Sequence, residues 1–460
     1  MILKSVAEQA LGAALKRGGD FAELFCEDRR SGAVGLVDGH VEDASTVRRH
    51  GAGIRVYNGL NSVYVHTNDT SLSGLLAAAG QAADAIGGGG AAGDIRLTQS
   101  LCANAHPVRA MPMDVAGERK AKLLREMDLA ARAVSPEIRQ VRANLIYWDS
   151  DVLIANSEGL FTGDRRVYTR MACSAVAEGD GESQSGSASP GAMMGFELFE
   201  GRVDVAAEAA KAAKQAVTML HAEPCPAGVM PVVIDGGFGG VIFHEACGHS
   251  LEAQAVAFGN SEVAGKLGER IASPIVTAVD DGTLPGEWGS LNIDDEGTPT
   301  TRLVLIQDGV LINYMVDRLN GRRMNLPPTG SGRRQDYTFA PTSRMRNTFI
   351  APGSDDEAEI ISTCGDGLYA KSMGGGSVNP VTGEFNFAVA EGWLIKDGKI
   401  DRPVRGATLI GRGAEVLKKI DRVGGNMWMA QGMCGASSGS IPTNVGQPMI
   451  RVTDMTVGGR

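Results

Sequence analysis

The sequence predicts an α+β protein, with an N-terminal domain of helices and antiparallel sheet over residues 1–222 and a β-rich domain over 228–460. Three observations carry this expectation. Glycine supplies 62 of the 460 residues, nearly twice the usual share of about 7%, which points to tight turns, bulges and close backbone approaches. The long helical recurrences all fall before residue 222, whereas short β-patterned runs dominate after it. Between the two lies Pro224-Cys225-Pro226-Ala227-Gly228, which neither a helix nor a central strand tolerates. A chain of this length also exceeds what one hydrophobic core usually organises.

Along the chain, Val6, Ala10, Leu11, Ala14 and Leu15 recur at helical spacing within residues 3–17, and Gly18-Gly19 ends the helix. Short β-runs at 22–26, 33–37, 53–57 and 62–66 are separated by glycine, asparagine or aspartate and read as an antiparallel meander. A helix over 71–86 runs into a glycine-rich connection at 87–93. Helical pattern returns at 115–134, strands follow from 138 to about 177, and the polar, glycine-rich tract 179–194 reads as a loop. An alanine-rich helix covers 205–221, and the apolar run 229–234 opens the second domain as a buried strand. Asp308-Gly309 and Asp397-Gly398 mark hairpin turns within it.

Composition narrows the function classes. A net charge of −10 without a basic stretch gives no footprint for nucleic acid. No run of about 18 apolar residues offers a membrane span, and charges at Lys4, Glu8, Lys16 and Arg17 interrupt any signal-peptide core. Seven scattered cysteines without a Cys-x-x-Cys pair suit a reducing compartment, so the cytoplasm is expected.

The chemistry gathers at His244-Glu245-Ala246-Cys247-Gly248-His249, a His-Glu-x-x-x-His pattern. On a regular α-helix, residues five apart lie about 140° apart around the axis, too far to share one ion. A single π-turn would bring both rings to one face, with Gly248 placed to ease the distortion and the helix starting near Val241. Two neutral imidazoles there suit a divalent metal, zinc first and iron as the alternative, and Glu245 is the candidate base that takes a proton from an attacking water. The bland alternative is a pair of structural histidines.

A third ligand is needed, and the remaining histidines (His40, His50, His66, His106 and His221) all precede the second domain. Cys434, in the glycine- and serine-rich stretch 431–442, is a candidate, although a lone cysteine is more often a buried spectator. Glu252 is a candidate acceptor for an imidazole N–H or a ligand itself. Cys247 raises a thiol-protease reading, weakened because both nearby histidines are better used on metal. Arg344, Arg346 and Asn347 are polar candidates for stabilising a tetrahedral intermediate.

Beyond this motif, Asp294-Asp295-Glu296-Gly297-Thr298-Pro299-Thr300, Arg344-Met345-Arg346-Asn347-Thr348, Glu391-Gly392-Trp393-Leu394-Ile395-Lys396 and Met433-Cys434-Gly435 follow in order. With residues 20–25, 51–56 and 64–69, they resemble the TldD/PmbA family of metalloproteases, the catalytic TldD branch in particular, over most of the chain. The resemblance implies that Cys434 joins His244 and His249 on the metal. It also implies cleavage of unfolded or leader-type peptides, and a PmbA/TldE-type partner subunit or a second copy of the chain. Departures at Cys247, Ser250 and Ala253-Gln254 bear on substrate preference and touch no expected ligand. The rival reading is a non-hydrolytic, metal-stabilised protein that modulates a partner, for which a fourth protein ligand would be the mark.

Overall fold

Two strands far longer than the sequence pattern suggests organise the N-terminal half in the computed structural model, which describes residues 2–88, 94–379 and 381–459. Phe21–Val37 and His40–Asn58 pair antiparallel through a turn at Asp38-Gly39, where both residues have positive φ (48° and 80°). The four expected β-runs are thus parts of two long strands plus the short Asn61–Thr67. Charged stretches such as 27–30 hide the strand pattern, because their backbones are satisfied by pairing with Ile138–Asn156 whatever their side chains. The sheet runs Asn61–Thr67, His40–Asn58, Phe21–Val37, Ile138–Asn156, Leu160–Gly179, Thr98–Gln99.

Even-numbered residues of Phe21–Val37 face the helices. Leu24 packs with Ala7 and Leu11 of Lys4–Ala14 and with Leu75 and Ala79 of Leu72–Ile86. Leu36 packs with Leu124 and Met127 of Gly117–Arg132 and with Ala213 of Val205–Leu220. Odd-numbered residues face the C-terminal half, where Phe25 packs with Ile293 and Tyr337. Period-two alternation explains how one strand serves both faces.

The tract read as a loop, 179–194, contains the strands Glu182–Ala188 and Gly191–Ala192, both paired with Leu160–Gly179. Its glycine is a packing device. A Cβ on Gly186 would lie 2.1 Å from the Ala212 carbonyl oxygen, so only glycine lets the helix Val205–Leu220 lie this close. The glycine-rich connection expected at 87–93 falls largely outside the described residues.

In the C-terminal half, Gly367–Val378, Gly228–Ile234, Ile450–Gly458, Thr408–Arg412 and Glu384–Lys396 pair in that order, and the last returns to pair with the first. Those five strands therefore close on themselves, with Lys399–Arg405 and Ile420–Val423 branching from the ring. A six-stranded sheet runs Val310–Leu311, Arg302–Gln307, Ala278–Asp281, Asn347–Ile350, Gly439–Gln447, Trp428–Ala436. The expected hairpins form at both Asp-Gly turns, each with two positive-φ residues. One continuous core, including Ile234, Phe243, Met345, Phe387 and Val445, joins both sheets to the segment carrying the two histidines. Among the described residues, no helix is long and apolar enough to cross a membrane.

Candidate metal centre

The segment bearing the histidines begins where Gly228–Ile234 ends, and its glycines set its position. A Cβ on Gly240 would lie 2.5–2.7 Å from backbone atoms of Gly446, so the segment meets the strand Gly439–Gln447 backbone against backbone. One α-turn, Val241–Phe243, leads into a π-turn over His244–Gly248 and a 3-10 turn over His249–Leu251. The expected π-turn is present. Gly248 plays a different part from the one expected: its φ of −57° is ordinary for a helix, and a Cβ there would lie 2.3 Å from Met345 Sδ. Its smallness admits Met345 and does not ease a distortion.

The widened turn brings the rings of His244 and His249 to centroids 5.2 Å apart at 81°. Both offer Nε2 to the same atom, Cys434 Sγ, at 3.3 Å and 3.5 Å. All three donor atoms lie within 4.8 Å of one another. A tetrahedral zinc ion with bonds of about 2.3 Å to sulfur and about 2.0 Å to nitrogen separates those donors by roughly 3.5 Å, so the residues fit such an ion. Cys434 lies in the strand Trp428–Ala436, opposite Ile441, and not in a flexible loop as its glycine- and serine-rich surroundings suggest. Pairing along Gly439–Gln447 holds it straight, with the turn only beyond Ala436.

Charge at the site favours the ligand form of the cysteine. Burial by itself would raise the Cys434 thiol, but His244 and His249 outweigh it and hold the group down at about 3. Burial would likewise lower His249, yet the Glu252 carboxylate, 3.1 Å from Nδ1, and Cys434 hold it well above the usual imidazole range. Glu252 thus takes the acceptor role at His249 and is not a member of the donor cluster. The Nδ1 of His244 is buried without a hydrogen-bond partner among the described residues, so burial and packing hold that ring. The Glu245 carboxylate is 30% exposed and stands 3.7 Å from His249 Nε2, on the donor side of the ring.

Other candidates are placed elsewhere. Cys247 is buried in the core, where burial pushes its thiol well up, and it sits against the Gly413–Lys418 helix. His50, His106 and His221 bond to Thr70, the Gly286 amide and Glu137 respectively. Arg346 pairs with Asp280, and Asn347 donates to the Asp281 carbonyl and Ser290, so both are committed to structure. Arg344 is fully buried and donates to the carbonyls of Cys434 and Gly439 and to Ser438 Oγ. Its Nε also stands 3.8 Å from Glu252. Sequence reasoning missed this clamp, since nothing in the run 344–347 tells which way a side chain points.

Comparison with known proteins identifies the family. Profiles of the family described as PmbA/TldA metallopeptidase match as its domain 1 over residues 22–86, its central domain over 112–220 and its C-terminal domain over 227–459. A metalloprotease TldD homolog of Haemophilus influenzae is 36% identical over 452 residues, covering 96% of this chain and 93% of that protein. A zinc metalloprotease TldD homolog of Saccharolobus solfataricus is 29% identical over 265 residues, covering 57% of this chain and 58% of that one. Among solved structures, a candidate modulator of DNA gyrase from Thermotoga maritima has the same fold, with a TM-score of 0.80 at 18% identity over 99% of this chain and 100% of that one. TldE from Thermococcus kodakarensis has it too, with a TM-score of 0.74 at 18% identity over 96% of this chain and 97% of that one. With all three domain profiles matched in order and the relationship running nearly end to end, the chain belongs to the PmbA/TldD family and is a metallopeptidase.

Proposed function

We propose that His244, His249 and Cys434 hold one divalent metal ion, zinc, and that Glu245 is the general base of peptide-bond hydrolysis. The observation that carries this reading is the convergence of three donor atoms within 4.8 Å, beside a partly exposed carboxylate. A divalent ion bound there supplies Lewis-acid polarisation of a scissile carbonyl and of a water molecule. Glu245 accepts the proton of the attacking water on its carboxylate and delivers it to the leaving amine nitrogen. Glu252 keeps the His249 ring oriented through Nδ1, and Arg344 keeps the Cys434 strand in register with it. A thiolate with two imidazoles suits zinc, and one relative carries zinc in its name; iron is the alternative.

The substrates in this reading are unfolded or leader-type peptides, processed in the cytoplasm with a PmbA/TldE-type partner subunit or a second copy of this chain. The likeness in fold to TldE and the seven unpaired cysteines support it. The division into domains at 1–222 and 228–460 belongs to the same proposal. The rival, a metal-stabilised scaffold, needs a fourth protein ligand, and the donor cluster among the described residues has three members.

The test is hydrolysis of an unstructured polypeptide by wild type and Glu245→Ala, with metal per chain measured in both. Loss of the base should lower turnover by about 10²–10⁴ with metal content unchanged. Equal cutting by both preparations at equal metal would remove Glu245 from that role.

A further inference from the structure

A second polar site lies between the N-terminal sheet and the hairpin that carries Cys434. It is a cavity of about 60 Å³, walled by the strands at Glu27, Arg29 and Trp148 on one side and by Arg333, Met433 and Ser440 on the other. That volume exceeds the ~10–15 Å³ one water needs. Four guanidinium groups line it, and two of them have obvious partners: Arg166 is paired with Asp164 and Asp295, and Arg334 with Glu23.

The other two make no ion pair among the described residues. Arg333 is 3% exposed, makes one hydrogen bond, from Nη1 to the Met345 carbonyl, and has no carboxylate within ion-pair distance among the described residues. Arg29 stacks on Trp148, 4.6 Å from the ring centroid, and its Nε is buried without a hydrogen-bond partner. The wall also holds two acids, Glu27 near Arg29 and Asp295 near Arg333, but both are engaged elsewhere: Glu27 is bonded to Ser150 Oγ and the Tyr337 amide, and Asp295 is paired with Arg166. Burial pushes the Glu27 carboxyl up, which weakens it as a counter-charge. Two guanidinium groups that line one cavity and make no ion pair of their own, beside acids already engaged elsewhere, leave donors for a further anion.

We propose that this cavity binds a small oxyanion, of carboxylate to phosphate size, held between Arg29 and Arg333. Guanidinium groups suit that ligand because their planar N–H donors match its oxygens. The bound anion would brace the sheet against the hairpin at Met433, the neighbour of Cys434. The proposal stands on the unpaired arginines and does not depend on the metal assignment.

Inorganic phosphate and, separately, acetate would be titrated into the metal-loaded full chain by calorimetry, with chloride at matched ionic strength as reference. At least one oxyanion should bind at one site per chain, and the preference between them tells a tetrahedral from a planar ligand. Arg333→Met and Arg29→Met should each weaken it about tenfold or more, the worth of a charge-assisted hydrogen bond. Arg29 is half-buried and makes no ion pair among the described residues, so Arg29→Met keeps the test usable if Arg333→Met does not fold. Absence of saturable binding, or binding unchanged in folded variants, overturns the proposal.

Discussion

At the scale of single residues, Arg344 links the two arms of the centre, which come from segments 185 residues apart at His249 and Cys434. It stands near the Glu252 carboxylate that orients His249 and donates to the carbonyl of Cys434 itself. Groups that orient metal ligands are worth roughly 10–100-fold in metal affinity. Arg344→Met is therefore expected to weaken metal binding by that range, measured by chelator competition; unchanged affinity in a folded variant would reduce Arg344 to packing. The motif from His244 to His249 was legible in sequence because its residue types are few and its spacing unusual. Cys434 was not legible on its own, since the pairing that aims its sulfur links positions far apart in the chain.

Among the elements, helices were read closely because apolar residues at three- and four-residue spacing mark them whatever they pack against. Strands were underread wherever polar side chains sat on well-paired backbone, as at 27–32 and 182–188. The segment bearing the histidines illustrates how glycine sets geometry at this scale. Gly240→Ala would drive a methyl group into the backbone of Gly446, an overpacking cost of about 1–3 kcal/mol. It should lower the thermal midpoint and, by moving His244 and His249 away from Cys434, lower the metal bound per chain as well. A variant with wild-type stability and full metal would contradict the close-contact argument.

The whole molecule is held across its two halves by buried charge. Glu23 of the N-terminal sheet pairs with Arg55 and with Arg334 of the C-terminal half, all three 2% exposed or less. Burial alone would raise the Glu23 carboxyl, but the two guanidinium groups outweigh it and hold it below its ordinary value. Its contribution is therefore present above the ordinary glutamate range and is lost as pH falls through the lowered folded value. Glu23→Gln leaves buried guanidinium charge uncompensated and should cost about 3–5 kcal/mol near neutral pH. The deficit against wild type should shrink in acid, as followed by denaturant unfolding at several pH values; a deficit independent of pH would mean that Glu23 acts through packing. The sequence by itself determined the mixed α+β class, the four helices before residue 222, the Asp-Gly hairpins and the π-turn, because each depends on residues within a few positions of one another. Only the tertiary structure decided the lengths of the paired strands, the aim of Cys434, the clamp at Arg344 and the arginines that make no ion pair among the described residues. Those features depend on which distant backbones and charges meet, and no local pattern encodes that.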